Sequence, residues 1–264
     1  MASKKWTENE TTLALSFYYE IPFGKISYTN PFIEEKSRLI HRTPGALAMK
    51  LANLASLDDS LLKRGVTSLT HISTLDKIIW NKYKNNYALL LEDRDRILAK
   101  LKDADTKRYP ETDSDIHLEA LPQPDHFSVE RTIIVRNGQN FFRNAVLSAY
   151  NYQCCMTGIA IPELLQACHI KPWSKCDQTN DCIDPANGLC LNYLCHKAFD
   201  TGLISVHKNE KTIMISRKLE HHKNLDETTR SWLLSLKNKS IIMPHRNSPD
   251  KIFLEYHNDC VFQK

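Results

Sequence analysis

The chain has 264 residues, a net charge of +4, 42% hydrophobic and 25% charged side chains, enough for a packed interior and ordinary for a globular protein. No apolar run approaches the roughly 18 residues a membrane span needs. Met1–Trp6 offers lysines without an apolar stretch behind them, so a cytoplasmic location with reduced cysteines is expected.

The charge excess is a weak argument for a nucleic-acid partner, but its placement is informative. Residues 104–126 carry 6 acidic and 2 basic side chains, whereas the flanking segments are both mildly basic. Two basic lobes on an acidic connector are the expectation.

In the first lobe the pattern predicts a helix over 8–20, with Leu13 and Phe17 on one side. Asn30-Pro31 and Thr43-Pro44 each pair a capping side chain with proline at the first helical position. They predict helices over 31–39 and 44–55. In the third helix Leu47, Leu51 and Leu54 face inward, leaving Gly45, Met49, Lys50 and Asn53 outside, with Arg42 just before it. Three short helices suit a helix-turn-helix or winged-helix-like reader, with Arg42, Lys50 and Asn53 as candidate DNA contacts. A plain helical bundle satisfies the same pattern. Ser73-x-x-Asp76 caps a long helix toward Lys102, with a break expected near Asn85-Asn86.

Pro110, Pro122 and Pro124 among acidic residues mark residues 104–128 as a linker. Apolar alternation follows over Val129–Val135, then a helix over about Gln139–Tyr150.

The segment after it carries the chemistry. Leu164–Ile170 predicts a short strand delivering His169, Pro172–Pro185 a loop, and Asn187–Leu191 a returning strand. Asn192 then caps a helix that Gly202 ends. On that helix His196 and Asp200 stand at i and i+4, one above the other, and such a pair can hold one cation. An imidazole beside a divalent metal supplies what phosphodiester hydrolysis needs: an activated water, charge neutralisation and help for the leaving oxygen.

His169, Asn187 and His196 resemble the three signature residues of the HNH, or ββα-metal, nuclease family, including the separation of 9 from asparagine to last histidine. Phe142-Arg143, Cys155-Met156-Thr157-Gly158, His169-Ile170-Lys171-Pro172-Trp173, Asn187-Gly188-Leu189 and Phe199-Asp200-Thr201-Gly202 are similar to its bacterial restriction-type branch. Ile21–Ile26 and Arg42–Asn53 resemble, less specifically, segments fused to HNH domains in such enzymes. The resemblance implies an α+β protein: a helical recognition domain over 1–103, a linker over 104–128 and a ββα-metal nuclease domain over 129–264.

It also implies roles. His169 would be the general base, and Asn187 would pin the loop that holds it. His196 and Asp200 would ligate a divalent metal, Mg²⁺ first and Mn²⁺ also acceptable. Lys171 and Lys175 join the candidate DNA contacts. Cys168 stands where many relatives have an aspartate or histidine ligand, and it is expected to be packed, because a thiolate suits Mg²⁺ poorly. Some relatives hold a structural zinc with two C-x-x-C pairs. Here Cys155 and Cys195 are matched to two of those places and Gly158 and Asn192 to the others, so no such zinc is expected. The expected partners are duplex DNA and a second copy of the chain, since one site cuts one strand, with no membrane and no small-molecule cofactor. Two alternatives stay open: a modification-dependent enzyme that senses methylcytosine, and a non-catalytic DNA-binding regulator on a nuclease fold.

Overall fold

The computed structural model describes residues 5–65, 72–108, 126–176 and 180–264. The first half is helical. Helix α1 (Glu8–Glu20) opens with a capping box in which Thr7 and Glu10 satisfy each other's backbone N–H. It buries Leu13, Ala14, Leu15, Phe17, Tyr18 and Tyr19, nearly all round, which makes it the central helix of its lobe. Around it lie α2 (Pro31–Leu39), α3 (Pro44–Ala55), the short α4 (Asp59–Leu62), α5 (Thr74–Tyr83) and α6 (Tyr87–Arg108). Asn30 and Thr43 cap α2 and α3 by accepting from Phe32 N and Ala46 N. The break between α5 and α6 falls at Asn85, which sits at φ 61°, a left-handed conformation that asparagine tolerates.

Two candidate DNA contacts on this lobe are corrected. Lys50 is not on the open side of α3: it is 4% exposed, and its Nζ lies 2.5 Å from Asp76 Oδ1 and 4.8 Å from the Trp6 ring. Arg42 is paired at 2.8 Å with Glu10, both side chains largely buried. Each cation is spent on tying the start of α5 or α1 to α3, so neither is available to a phosphate. Asn53 is half-buried, and the exposed side of α3 is carried by Gly45 and Met49.

Helix α7 (His126–Ala149) replaces the alternating stretch expected at Val129–Val135. Val129 and Ile133 are also spaced i and i+4, and a short apolar run fits either period. The expected linker is therefore helical at both ends, while residues 109–125 lie outside the described ones. Helix α7 is shared between two cores. Phe141 and Ala145 pack with the N-terminal cluster, Phe142 and Val146 with the C-terminal one. Arg246 closes the seam, its Nη2 donating to the carbonyls of Tyr19 and Ile21 and to Ser148 Oγ.

Past α7, β1 (Leu165–His169) and β2 (Gly188–Asn192) form an antiparallel pair with His169 opposite Gly188, and α8 (Tyr193–Asp200) follows directly. A Cβ on Gly188 would collide with Val146 and press on Phe142, so glycine lets the ribbon lie against α7. Gly202, at φ +70°, ends α8 in the left-handed region, and a Cβ there would run into the backbone of Val261. After the helix comes a hairpin of β3 (Ile204–Val206) paired with β4 (Ile213–Ile215). Then come α9 (Arg217–Glu220), α10 (Glu227–Leu234) and α11 (Lys251–Tyr256), the last capped by Asp250 and continued by a π turn at His257–Val261. Among the described residues no helix is long and apolar enough to cross a membrane.

Candidate active site

Strand β1 ends at His169, and the ring is held from three directions. Phe142 of α7 stacks flat on it, centroids 3.8 Å apart and planes within 9°. Trp173 meets it edge-on at 5.4 Å. The third hold is a hydrogen bond of 2.8 Å between Nε2 and the carbonyl oxygen of Cys182. A carbonyl only accepts, so Nε2 carries the ring proton and Nδ1 keeps its lone pair. Burial also pushes the His169 pKa below the usual histidine value, which favours the neutral ring.

Beside it, α8 presents His196 and Asp200, with Nε2 and Oδ2 3.2 Å apart, as the i, i+4 spacing requires. Cys168 lies beneath them. Its thiol is fully buried, and its Sγ is 3.5 Å from Asp200 Oδ1. Ligand atoms of Cys168, His196 and Asp200 all fall within 4.8 Å of one another, the one such cluster among the described residues. His169, His196 and Asp200 line the same open cleft of about 480 Å³, with Trp173 and His257. An imidazole and a carboxylate opening on a cleft, with a buried thiol behind them, form a donor set that fits a divalent cation.

Asn187 is fully buried just before β2. Its Oδ1 accepts from Lys171 N at 2.8 Å, while Nδ2 donates to the carbonyls of Asp181 (2.9 Å) and Lys171 (3.3 Å) and faces Cys176 Sγ at 3.3 Å. The Asn187 carbonyl accepts from Ile170 N. The loop leaving β1 is thus tied to the start of β2 through one side chain, which also holds the Asp181 carbonyl next to the Cys182 carbonyl that orients His169.

Residues 154–207 match the HNH endonuclease family. This part of the chain is an HNH domain. No match was found among curated proteins.

Within the HNH domain the thiols are arranged differently from the sequence expectation. The residues that converge are Cys154, Thr157, Asn192 and Cys195, whereas the resemblance matches Cys155 and Gly158 to the first pair. Asn192 Nδ2 donates to Thr157 Oγ1 at 3.0 Å and faces Cys154 Sγ at 3.7 Å. The Cys195 thiol beside Cys154 lowers the Cys154 pKa to about 5. Cys155 is instead packed in the core, where burial drives its thiol pKa upward. Cys154, Thr157, Asn192 and Cys195 thus form a hydrogen-bonded knot.

The candidate DNA contacts near the HNH cleft differ from one another. Lys171 is paired with Asp181 at 2.7 Å, whereas Lys175 is exposed. Several residues that shape the site had no assigned role in the sequence reading. Phe142 and Trp173 stood within family-like words, and their pairing with His169 gave no local signal. His257, which has no matching spacing to the signature residues, is 1% exposed and stacks on Phe199 at 3.7 Å. Its Nε2 donates to the Phe199 carbonyl and its Nδ1 accepts from Ser205 Oγ, and burial lowers its pKa to about 4. It supports the end of α8 as a neutral ring. Arg143 of α7 holds Gln166 Oε1 at 2.8 Å and the Leu165 carbonyl at 3.2 Å, lining a second cleft on the other side of His169.

Proposed function

We propose that the protein is a divalent-metal-dependent endonuclease of restriction type, hydrolysing phosphodiester bonds of duplex DNA. The observation that carries this reading is a histidine with its Nδ1 lone pair retained, sharing one cleft with His196 and Asp200, behind which the Cys168 thiol lies. The match to HNH endonucleases supports the reaction class.

In this reading His169 Nδ1 accepts the proton of the attacking water, and the Cys182 carbonyl keeps the opposite nitrogen protonated throughout. Phe142 and Trp173 hold the ring plane and exclude solvent from its face. Asn187 fixes the loop that supplies that carbonyl, so it acts as a positioning residue. His196 and Asp200 would hold the cation, which supplies charge neutralisation at the phosphate and at the departing 3′-oxygen. The products are then a 5′-phosphate and a 3′-hydroxyl. Lys175 supplies a phosphate contact at the rim, and the N-terminal helices carry the remaining recognition. Cutting both strands with one site per chain calls for two chains, hence a homodimer.

The test is plasmid digestion with modified and unmodified DNA, supplying Mg²⁺, Mn²⁺ or Zn²⁺ in turn, with and without EDTA. Cleavage that EDTA abolishes and His169→Ala removes is expected. DNA retention with no cleavage under any cation would replace this reading with a binding regulator.

A further inference from the structure

We propose that Cys168 is a thiolate ligand of the catalytic cation, so that the site selects zinc-class borderline metals over Mg²⁺. The inference rests on the nuclease reading for the cation's purpose, though its geometry stands independently.

Three observations carry it. Cys168 is the residue of β1 next to His169, and its Sγ reaches the carboxylate of Asp200 across the β1–α8 junction at 3.5 Å. The His196 to Asp200 separation is 3.2 Å. Ligands of a tetrahedral zinc centre with one sulfur, one nitrogen and one oxygen stand about 3.3 to 3.6 Å apart, given bonds of roughly 2.3, 2.05 and 2.1 Å. Adjacent oxygens of an octahedral Mg²⁺ are closer, at about 2.9 Å. The sulfur–oxygen separation of 3.5 Å falls within the tetrahedral spacing, and the nitrogen–oxygen separation of 3.2 Å, measured to the other carboxylate oxygen, lies between the two spacings.

Chemistry points the same way. A fully buried cysteine whose thiol points at a carboxylate, itself paired to an imidazole, is more than a packed apolar group. Its hydrogen bridges Sγ and Oδ1 in the free protein. On binding, the S–H bond breaks, sulfur bonds the cation and the proton leaves to solvent, with no redox change. Sulfur is a soft donor that favours zinc, cobalt or nickel and serves Mg²⁺ poorly, whereas an oxygen donor at this place would favour Mg²⁺ or Mn²⁺. The cluster grades from the fully buried Cys168 to His196 and Asp200, at 28% and 45% side-chain exposure, so the open coordination position faces the cleft.

Cobalt(II) reads sulfur coordination directly. Titrating the full chain with Co²⁺ in the absence of DNA is expected to give a near-ultraviolet thiolate-to-cobalt charge-transfer band. Cys168→Ser removes that band, and Zn²⁺ affinity by calorimetry falls by roughly a hundredfold or more, beyond the usual cost of losing a group behind a ligand. Cys154→Ala and Cys176→Ala keep the band, which excludes those two thiols as its source. Cys168→Asp, checked for an unchanged melting profile, binds Mg²⁺ or Mn²⁺ more tightly than the wild type does. His169→Ala retains the band while losing cleavage, which separates this inference from the nuclease reading. A wild-type Co²⁺ complex without the band, or a band that survives in Cys168→Ser, would overturn the assignment.

Discussion

The Phe142 ring lies flat against the His169 imidazole, 3.8 Å between centroids, although the two residues come from a helix and a strand far apart in sequence. The contact sets α7, a member of both cores, behind the His169 ring. It also fixes the ring plane in which the Nδ1 lone pair must lie.

Phe142→Leu preserves apolar volume but removes the flat face. The expected outcome is a fall in kcat of roughly ten- to a hundredfold, the scale of a misplacement near 1 Å, with KM for DNA little changed. Steady-state kinetics beside a melting curve measure both. A parallel loss of DNA affinity would place Phe142 in binding instead of positioning.

Burial holds the His169 pKa below the usual 6.5. A general base works in its neutral form, so activity rises as pH climbs through that lowered value. The acidic limb of kcat/KM is expected to lie below 6.5 and to vanish from the residual activity of His169→Ala. A limb centred above 6.5 would contradict the proposed base.

Lys50 and Asp76 form a buried pair, 5% and 0% exposed at the side chain, with Asp76 Oδ2 lacking a hydrogen-bond partner. Removing the cation strands a charge in the interior. Lys50→Met is expected to cost about 3 to 5 kcal/mol in a denaturant titration, while the salt dependence of DNA binding keeps its slope. A stable variant with a reduced slope would return Lys50 to the DNA-contacting surface.

The knot of Cys154, Thr157, Asn192 and Cys195 has two thiols already in place. Thr157→Cys with Asn192→Cys is expected to bind one Zn²⁺ tightly and to raise Tm in a chelator-sensitive way. Cys155→Ala in the same background leaves binding intact, because Cys155 is outside the knot. Failure of the double variant to take up zinc would mean that the four positions do not converge.

The sequence by itself determined the local parts of this protein. Capping at Asn30, Thr43, Ser73 and Asn192 set helix starts, and the i, i+4 placement of His196 and Asp200 set a cation-holding pair. These are interactions within a turn or two of chain, so residue order alone specifies them. The tertiary structure decided everything that joins distant segments. It buried Lys50 and Arg42 in ion pairs, laid Phe142 on His169, aimed the Cys182 carbonyl at Nε2 and brought the Cys168 thiol to Asp200. It also shifted the thiol knot by one residue to Cys154. Periodicity reports which side of a helix is apolar, but a long cation with an apolar stem passes for surface until a buried carboxylate is found opposite it. Only packing supplies that partner.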